Sequence, residues 1–289
     1  MTRKALLVGI NDYAPVGVGG PDLRGCVNDV RDMATTLVTL GVVTATPATL
    51  LILTDQRATR ANILAAFKAL IKGAKKGDVL IFYYSGHGSY VVDVSGDELD
   101  KKDETICPHD YATAGMIKDD DFRALLAGLP AGVNLDVFFD SCHAGTGTRE
   151  LAALAATPEL DSIAYRYVEP PIDWAFFAEA EPELETRAIL SPVDPAIPNA
   201  ARTSVEVPGL NHVLWAACRD AQTSAEALIG GTYRGVYTYA LCKTLKGTGL
   251  SITRRKLDAL VCMNVKSLGF SQGPQVEGAK VSLDEKVFT

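Results

Sequence analysis

Apolar residues fall along this chain in two patterns that alternate with each other. Short unbroken runs, which predict strands buried on both faces, occupy residues 5–10, 50–53, 79–84, 135–139 and 213–217. Between them, apolar residues recur every three or four positions and predict helices over 27–40, 63–71, 120–126, 237–245 and 254–268. This alternation favours an α/β architecture, with a mainly parallel central sheet flanked by helices.

Residues 150–208 break the alternation. Prolines recur there, and four glutamates fall between positions 179 and 185. We interpret the stretch as an acidic, proline-rich insertion or linker between a larger region, 1–149, and a smaller one, 209–289. Trp174, Phe176 and Phe177 keep open the alternative of a structured excursion that packs on the rest of the domain.

Two short polar motifs directly follow predicted strands. Residues 84–88 contain His87, and residues 140–145 contain Cys142. If the two strands lie parallel in one sheet, both motifs emerge at its carboxyl edge, where open α/β sheets bind their ligands. A neighbouring imidazole favours the thiolate, which is the nucleophilic form of cysteine. The pair therefore predicts an enzyme of cysteine-dependent acyl transfer.

The motifs Ser85-Gly86-His87-Gly88 and Asp140-Ser141-Cys142-His143-Ala144-Gly145 resemble those of the caspase-like cysteine peptidases, peptidase family C14. His87 precedes Cys142 by roughly 50 residues, as in that class. The pattern Gln-Ala-Cys-X-Gly of animal caspases is absent, so the resemblance is to metacaspases and orthocaspases. Further matching segments are 23–29, 103–106 and 218–225. The resemblance implies a single caspase-like domain over 1–289, a three-layer α/β/α sandwich that acts as a monomer.

The resemblance also implies roles for individual residues. His87 and Cys142 would form a catalytic dyad, with the backbone N–H groups of Gly88 and Cys142 as oxyanion donors. The pocket for the side chain before the cleaved bond would contain Cys26, Asp29, Ser85 and Asp140. Two carboxylates hold a guanidinium or ammonium through charge-assisted hydrogen bonds. The alternative for Asp29 is a first-turn acid that favours its helix electrostatically.

From these residues we expect an endopeptidase that cleaves after Arg or Lys. Three alternatives stay open: a non-catalytic caspase-like module that binds peptides or partners, a peptidase specific for Asp, and a hydrolase or transferase of another acyl substrate. The two pocket carboxylates disfavour Asp specificity, because like charges repel.

The chemistry requires no cofactor, but the resemblance raises calcium as an activator. Acids of calcium-activated metacaspases match Asp103, Asp119 and Asp120, whereas Arg149 stands where a further acid is expected. Such carboxylates suit Ca²⁺, which prefers oxygen ligands. The alternative is a solvated acidic loop.

Charge and composition limit the partners. A net charge of −7, without a Lys/Arg-rich run, argues against nucleic acid. No uncharged apolar stretch approaches the roughly 18 residues of a membrane span. The six cysteines show neither disulfide nor zinc spacing, which favours reduced thiols in the cytoplasm. The expected partner is a protein or peptide substrate.

A peptidase of basic specificity also has potential cutting sites in its own chain. Four arginines occur in or next to the acidic stretch: Arg149, Arg166, Arg187 and Arg202. Proteolysis concentrates at exposed connecting segments. We therefore predict self-cleavage there, with the two products held together because strands from both regions would share one sheet.

Overall fold

The structure is a computed structural model, and it describes residues 1–14, 22–92, 102–142, 163–168, 204–207, 209–218 and 224–289. For Val92, Lys102 and Asp103 it describes the backbone alone. Self-cleavage candidates Arg149, Arg187 and Arg202, together with His143, lie outside these residues.

Strands and helices alternate through most of the described chain. In chain order, the strands are β1 (Arg3–Gly9), β2 (Leu50–Thr54), β3 (Val79–Ser85), β4 (Gly88–Val92), β5 (Lys102–Ile106), β6 (Ile117–Lys118), β7 (Asn134–Asp140), β8 (Ile163–Tyr165), β9 (Ser204–Glu206), β10 (Val213–Ala216), β11 (Ala225–Ile229), β12 (Thr232–Gly235) and β13 (Gln275–Gly278). The helices are α1 (Cys26–Thr39), α2 (Arg60–Ile71), α3 (Tyr111–Ala114), α4 (Asp119–Leu126), α5 (Val236–Thr248), α6 (Arg254–Ser267) and α7 (Lys280–Asp284). The five predicted strands and five predicted helices are confirmed, with ends shifted by a few residues at most.

Seven of the described strands form one central sheet. Its order is β2-β1-β3-β7-β10-β13-β9, and all neighbouring pairs are parallel except β10 with β13. Strands of the larger predicted region (β1, β2, β3 and β7) and of the smaller one (β10 and β13) therefore lie in the same sheet.

Helices cover both faces of this sheet. Leu7 and Ile81 point to one face, where they join a core that includes Met33 of α1 and Leu241 of α5. Leu6 and Phe82, which are next to Leu7 and Ile81 along their strands, belong to a second core that contains Phe67 of α2. Successive strand residues face opposite sides, so an unbroken apolar run fills both cores at once. The predicted three-layer α/β/α sandwich is confirmed.

The sequence pattern missed the short strands outside this frame. Strands β4, β5 and β6 form one small sheet, and β12, β11 and β8 form another. The matching segment 218–225 ends where β11 begins, at Ala225. The insertion contributes β8 and β9 to sheets. Elements of two to five residues are too short to show a period.

Candidate active site

His87 and Cys142 follow neighbouring strands at the carboxyl edge of the central sheet. Strands β3 and β7 pair in parallel, with Ser85 opposite Asp140, and each of the two residues comes two positions later. Both side chains are buried. The parallel register thus brings the two motifs together, as the sequence predicts for strands of one sheet.

The backbone around His87 is fixed by two tyrosines. The His87 N–H donates to the Tyr13 hydroxyl at 2.7 Å, and the imidazole packs on the Tyr13 ring with centroids 4.9 Å apart. The Tyr84 hydroxyl donates to the His87 carbonyl at 2.7 Å. A side chain at Gly86 would lie 2.7 Å from the Tyr13 oxygen, so only glycine fits between the tyrosines. The imidazole is therefore held in one place relative to the sheet.

The Cys142 sulfur lies against the backbone of Ser224. The Ser224 N–H donates to Sγ, and Sγ is 3.3 Å from the Ser224 carbonyl oxygen. An N–H donor stabilises negative charge on a sulfur. A hydrogen bond with Cys142, followed by burial, raises the pKa of the neighbouring Cys218 well above its ordinary value. Cys218 therefore remains a neutral thiol beside Cys142.

Arg166, a residue of the insertion, fills the predicted pocket with its side chain. Its Nη2 lies 2.6 Å from Asp29 Oδ2, and its Nη1 lies 3.0 Å from Asp140 Oδ1. Nη1 also donates to the Ser85 hydroxyl at 2.8 Å. The guanidinium and both carboxylates have no exposed surface. Three of the four predicted pocket residues thus contact one buried arginine.

A third carboxylate, which the sequence reasoning missed, lies at the same guanidinium. Glu226 Oε2 is 3.6 Å from Arg166 Nη2. The Glu226 carboxylate accepts hydrogen bonds from the N–H groups of Arg24 at 2.8 Å and Gly25 at 2.9 Å, which hold it in position. The only feature of the sequence that could have pointed to Glu226 as a site residue is its position directly after the matching segment 218–225. Three buried carboxylates therefore surround one cation.

This concentration of charge changes the ionisation of Asp29. Burial raises its pKa from 3.8 to about 6; Arg166 opposes the shift and Asp140 adds to it. Cys26, the fourth predicted pocket residue, is the first residue of α1 and is buried. Burial raises the pKa of its thiol well above the ordinary value, so Cys26 remains neutral.

Two further features shape the pocket. The Asp140 carboxylate accepts hydrogen bonds from the hydroxyls of Ser224 at 2.7 Å and Thr238 at 2.6 Å, which fix its orientation. A Cβ at position 235 would lie 2.7 Å from Arg166 Nη1 and 2.8 Å from Asp29 Oδ2. Gly235 therefore leaves the space that the guanidinium occupies.

The main chain of Arg166 is bound as closely as its side chain. Its carbonyl oxygen accepts hydrogen bonds from the N–H groups of Gly88 at 3.0 Å and Cys142 at 3.2 Å. Its own N–H donates to the Ser224 carbonyl at 3.1 Å. The two predicted oxyanion donors, Gly88 and Cys142, thus donate to the same carbonyl oxygen of Arg166. Ser224, which binds the Arg166 N–H, is also the residue that contacts the Cys142 sulfur.

The predicted calcium ligands do not form a cation site in the described part of the chain. Asp119 and Asp120 lie in the first turn of α4, where their carboxylates pair with Arg123 at 2.8 and 2.9 Å. The Asp103 side chain is outside the described residues. Within those residues, no group of three His, Cys, Asp or Glu side chains is placed to hold a metal ion. As arranged, the Asp119 and Asp120 carboxylates bind Arg123 rather than a shared cation.

The other two histidines among the described residues are His109 and His212, and neither makes any of the contacts given above. His109 Nδ1 is 2.6 Å from the carbonyl oxygen of Asp12, and burial lowers the pKa of His212 to about 4. Within the described ranges, no helix has the length and apolar character needed to cross a membrane.

Two solved structures share the fold. Protein GSU0716 from Geobacter sulfurreducens is 27% identical with a TM-score of 0.66, and the match covers 100% of this chain and 99% of that one. Caspase-1 from Spodoptera frugiperda is 14% identical with a TM-score of 0.53, covering 94% of this chain and 84% of that one. The expected caspase-like fold is confirmed. The protein therefore has a caspase-like fold with a cysteine at the carboxyl edge of its central sheet.

Sequence comparison places the chain more narrowly. Residues 3–149 match the family model for the metacaspase, peptidase C14 domain. Metacaspase-1 of Mycosarcoma maydis is 32% identical over 297 residues, which is 96% of this chain and 70% of that protein. The chain spans 54% to 71% of the length of the similar metacaspases. The chain belongs to the metacaspase family and is a cysteine-type peptidase.

Proposed function

We propose that this chain is an endopeptidase that cleaves peptide bonds after Arg or Lys through a Cys142–His87 dyad. One observation supports this most directly. An arginine lies in the pocket with its carbonyl oxygen between the N–H groups of Gly88 and Cys142. A substrate needs the same arrangement, in which a cationic side chain anchors the residue whose carbonyl is attacked.

In the proposed mechanism, the Cys142 thiolate attacks the carbonyl carbon of the substrate residue in the pocket. The N–H groups of Gly88 and Cys142 stabilise the resulting oxyanion, and one such donor contributes about 3–4 kcal/mol to the transition state. His87 protonates the departing amine, and positioned acid–base help contributes about 10²–10⁴ in rate. Water then hydrolyses the thioester and restores the thiol.

The charge of the pocket supports basic specificity. Asp29, Asp140 and Glu226 are buried, so an acidic side chain would add a fourth negative charge without a counter-ion. A guanidinium has two terminal nitrogens, and these contact Asp29 and Asp140 separately in the structure. Cleavage after Asp is disfavoured for the same reason.

The remaining parts of the proposal follow the sequence expectations. The enzyme acts as a monomer in the cytoplasm on protein or peptide substrates. Calcium is proposed as an activator outside the chemistry, on the basis of the matching acids alone. Its action would require the Asp119 and Asp120 carboxylates to leave Arg123.

The test is a panel of fluorogenic peptides that differ only in the residue before the reporter: Arg, Lys, Ala or Asp. We expect hydrolysis after Arg and Lys, faster with added calcium than with chelator, no hydrolysis after Asp under either condition, and no turnover by Cys142→Ala. A preference for Asp or Ala would contradict the proposed specificity. Equal rates with calcium and with chelator would contradict only the proposed activation by calcium and would leave the proposed specificity unaffected.

A further inference from the structure

The two residues that follow Arg166 lie along the backbone of Gly88. Tyr167 and Val168 continue the extended segment that begins with β8 and carries Arg166 into the pocket. The Val168 N–H donates to the Gly88 carbonyl at 3.0 Å, and Tyr167 forms a parallel bridge with Gly88. Because the Gly88 N–H donates to the Arg166 carbonyl, Gly88 binds the segment on both sides of the Arg166–Tyr167 bond.

Gly88 is also the first residue of an edge strand. Strand β4 lies at the end of the order β4-β5-β6 and pairs with β5 on one side. The hydrogen bonds to Arg166 and Val168 use its other side. A peptide adds to such an edge as a further strand, held by main-chain hydrogen bonds, while its alternate side chains enter separate sites. The edge at Gly88 is therefore suited to the part of a substrate that follows the cleaved bond.

The side chains after Arg166 alternate between two environments. The Tyr167 ring stacks on the Tyr90 ring of β4, with centroids 6.4 Å apart and planes at 28°. Val168 is 8% exposed and belongs to the second core, which also contains Tyr13. Successive residues of an extended strand face opposite sides. The first position after the arginine therefore meets an aromatic ring, and the second meets the apolar core.

We propose that the edge of β4 is a leaving-side site for the two substrate residues that follow the cleaved bond, formed by the Gly88 carbonyl, the Tyr90 ring and the second core. It prefers an aromatic residue in the first position, and an aliphatic residue with a main-chain N–H in the second. The proposal rests on the proposed function, because a substrate takes the place of residues 163–168 and is cut by Cys142. It adds a selection on the leaving side to the selection of Arg or Lys.

Binding at the leaving-side site also positions the reacting carbonyl. The N–H and the carbonyl of one residue, Gly88, hold atoms on both sides of the bond that is cut. A substrate that ends directly after this bond forms only the hydrogen bond from the N–H. A substrate with two further residues forms both, which fixes its carbonyl for attack by Cys142. The site therefore favours internal peptide bonds, at least two residues from a carboxyl terminus.

The first experiment compares four internally quenched peptides of one sequence, each with Arg before the cleaved bond. The reference peptide continues with Tyr-Val, and the others continue with Ala-Val, with Tyr-Asp, or with Tyr-Val joined by an ester instead of an amide. Mass spectrometry identifies the bond that is cut.

Each change removes one part of the leaving-side site. We expect the ester to lower kcat/KM on the order of tenfold, because the buried Gly88 carbonyl loses its donor. Loss of the aromatic ring should lower kcat/KM about fivefold. A carboxylate in the apolar core should lower it by more than about tenfold.

The second experiment assigns the aromatic preference to Tyr90. It measures the ratio of kcat/KM for the Tyr-Val and Ala-Val peptides in wild type, Tyr90→Ala, Tyr90→Phe and the matched control Tyr239→Ala. Tyr239 is a half-buried residue of α5 beside Lys243. We expect the preference to disappear in Tyr90→Ala only, while the ester peptide stays impaired in all four proteins. A ratio taken within one preparation does not depend on its folded fraction or on competition from residues 163–168.

The remaining outcomes separate the two proposals. Equal kcat/KM for all four peptides in wild type, with cleavage after Arg, would overturn the leaving-side site and leave the proposed function intact. A preference for Tyr that persists in Tyr90→Ala, or that disappears equally in Tyr239→Ala, would overturn the assignment to Tyr90. If wild type hydrolyses none of these peptides and no arginyl reporter peptide, the proposed function fails and the leaving-side site fails with it.

Discussion

Asp136 of β7 and Arg254 at the start of α6 form a buried, bidentate ion pair. Arg254 Nε lies 2.8 Å from Oδ1 and Nη2 lies 2.9 Å from Oδ2, and the side chains are at most 1% exposed. The Trp215 indole N–H of β10 donates to the same carboxylate at 3.0 Å. The strand that precedes Cys142 is thereby bound to the carboxyl-terminal part of the chain by charge as well as by sheet pairing.

We predict that Arg254→Met destabilises the protein by about 3–5 kcal/mol, because it leaves the Asp136 carboxylate buried without its counter-ion. The neighbouring Arg255 is the matched control. It pairs with Asp284 and Glu206 but is 35% exposed, so Arg255→Met should cost at most about 1 kcal/mol. Urea unfolding in a Cys142→Ala background measures both. Equal losses in the two variants would contradict the assignment.

We predict that a chain cut after Arg166 stays one particle. Strand β7 of the first fragment pairs with β10 of the second, and Asp136 pairs with Arg254 across the same junction. Breaking this contact would expose a sheet edge and buried apolar surface. Native mass spectrometry of the cut protein should show both fragments together, with uncut Cys142→Ala as the mass standard. Free fragments under native conditions would contradict this prediction, because they would show that the sheet pairing and the ion pair do not hold the two fragments together.

We predict that Cys142→Ala abolishes peptide hydrolysis while its melting temperature stays close to that of wild type. His87→Ala should lower the rate by about 10²–10⁴, because the departing amine loses its proton donor. Cys107→Ala is the control for a buried thiol outside the proposed dyad; we expect it to lose some stability but to retain its turnover per folded molecule. Substantial hydrolysis by purified Cys142→Ala would exclude it as the nucleophile.

We predict that Asp140→Asn lowers kcat/KM for arginyl peptides by roughly two to four orders of magnitude. A buried guanidinium that loses a charged partner costs about 3–5 kcal/mol when fully desolvated. Asp32→Asn serves as the control, since Asp32 pairs with Arg234 at a partly exposed position. That variant should remain within a few-fold of wild type. An equal loss in both would point to a general effect of removing acids near α1.

We predict that activity on arginyl peptides falls as the pH drops through about 6, the value to which burial raises the pKa of Asp29. A carboxyl group is charged above its pKa, so acidification neutralises Asp29 and removes one partner of the guanidinium. Asp140 and Glu226 are the other carboxylates that face this cation. The pH profile of Asp29→Asn should therefore lack this fall in activity at acidic pH (the acidic limb), whereas the profile of Asp32→Asn should retain it. A limb that survives in Asp29→Asn belongs to another group.

The amino-acid sequence by itself determined the frame of this protein. Five strands of the central sheet follow from unbroken apolar runs, and the five longer helices follow from apolar periodicity, because each pattern records locally whether both faces of a segment or only one is buried. The sequence also places His87 and Cys142 at one sheet edge. Residues that follow parallel neighbouring strands emerge together, whatever the rest of the chain does.

Only the tertiary structure decided what surrounds that pair. Glu226, Gly235 and Arg166 come from three separate segments, and they meet Asp29 only because β11 pairs with both β12 and β8. Strands this short show no period, and a charged residue in a proline-rich insertion looks the same whether it faces water or a buried carboxylate. The path of residues 163–168 through the site depends on three carboxylates that come together only when the chain folds. A guanidinium leaves water only where such partners are already in place.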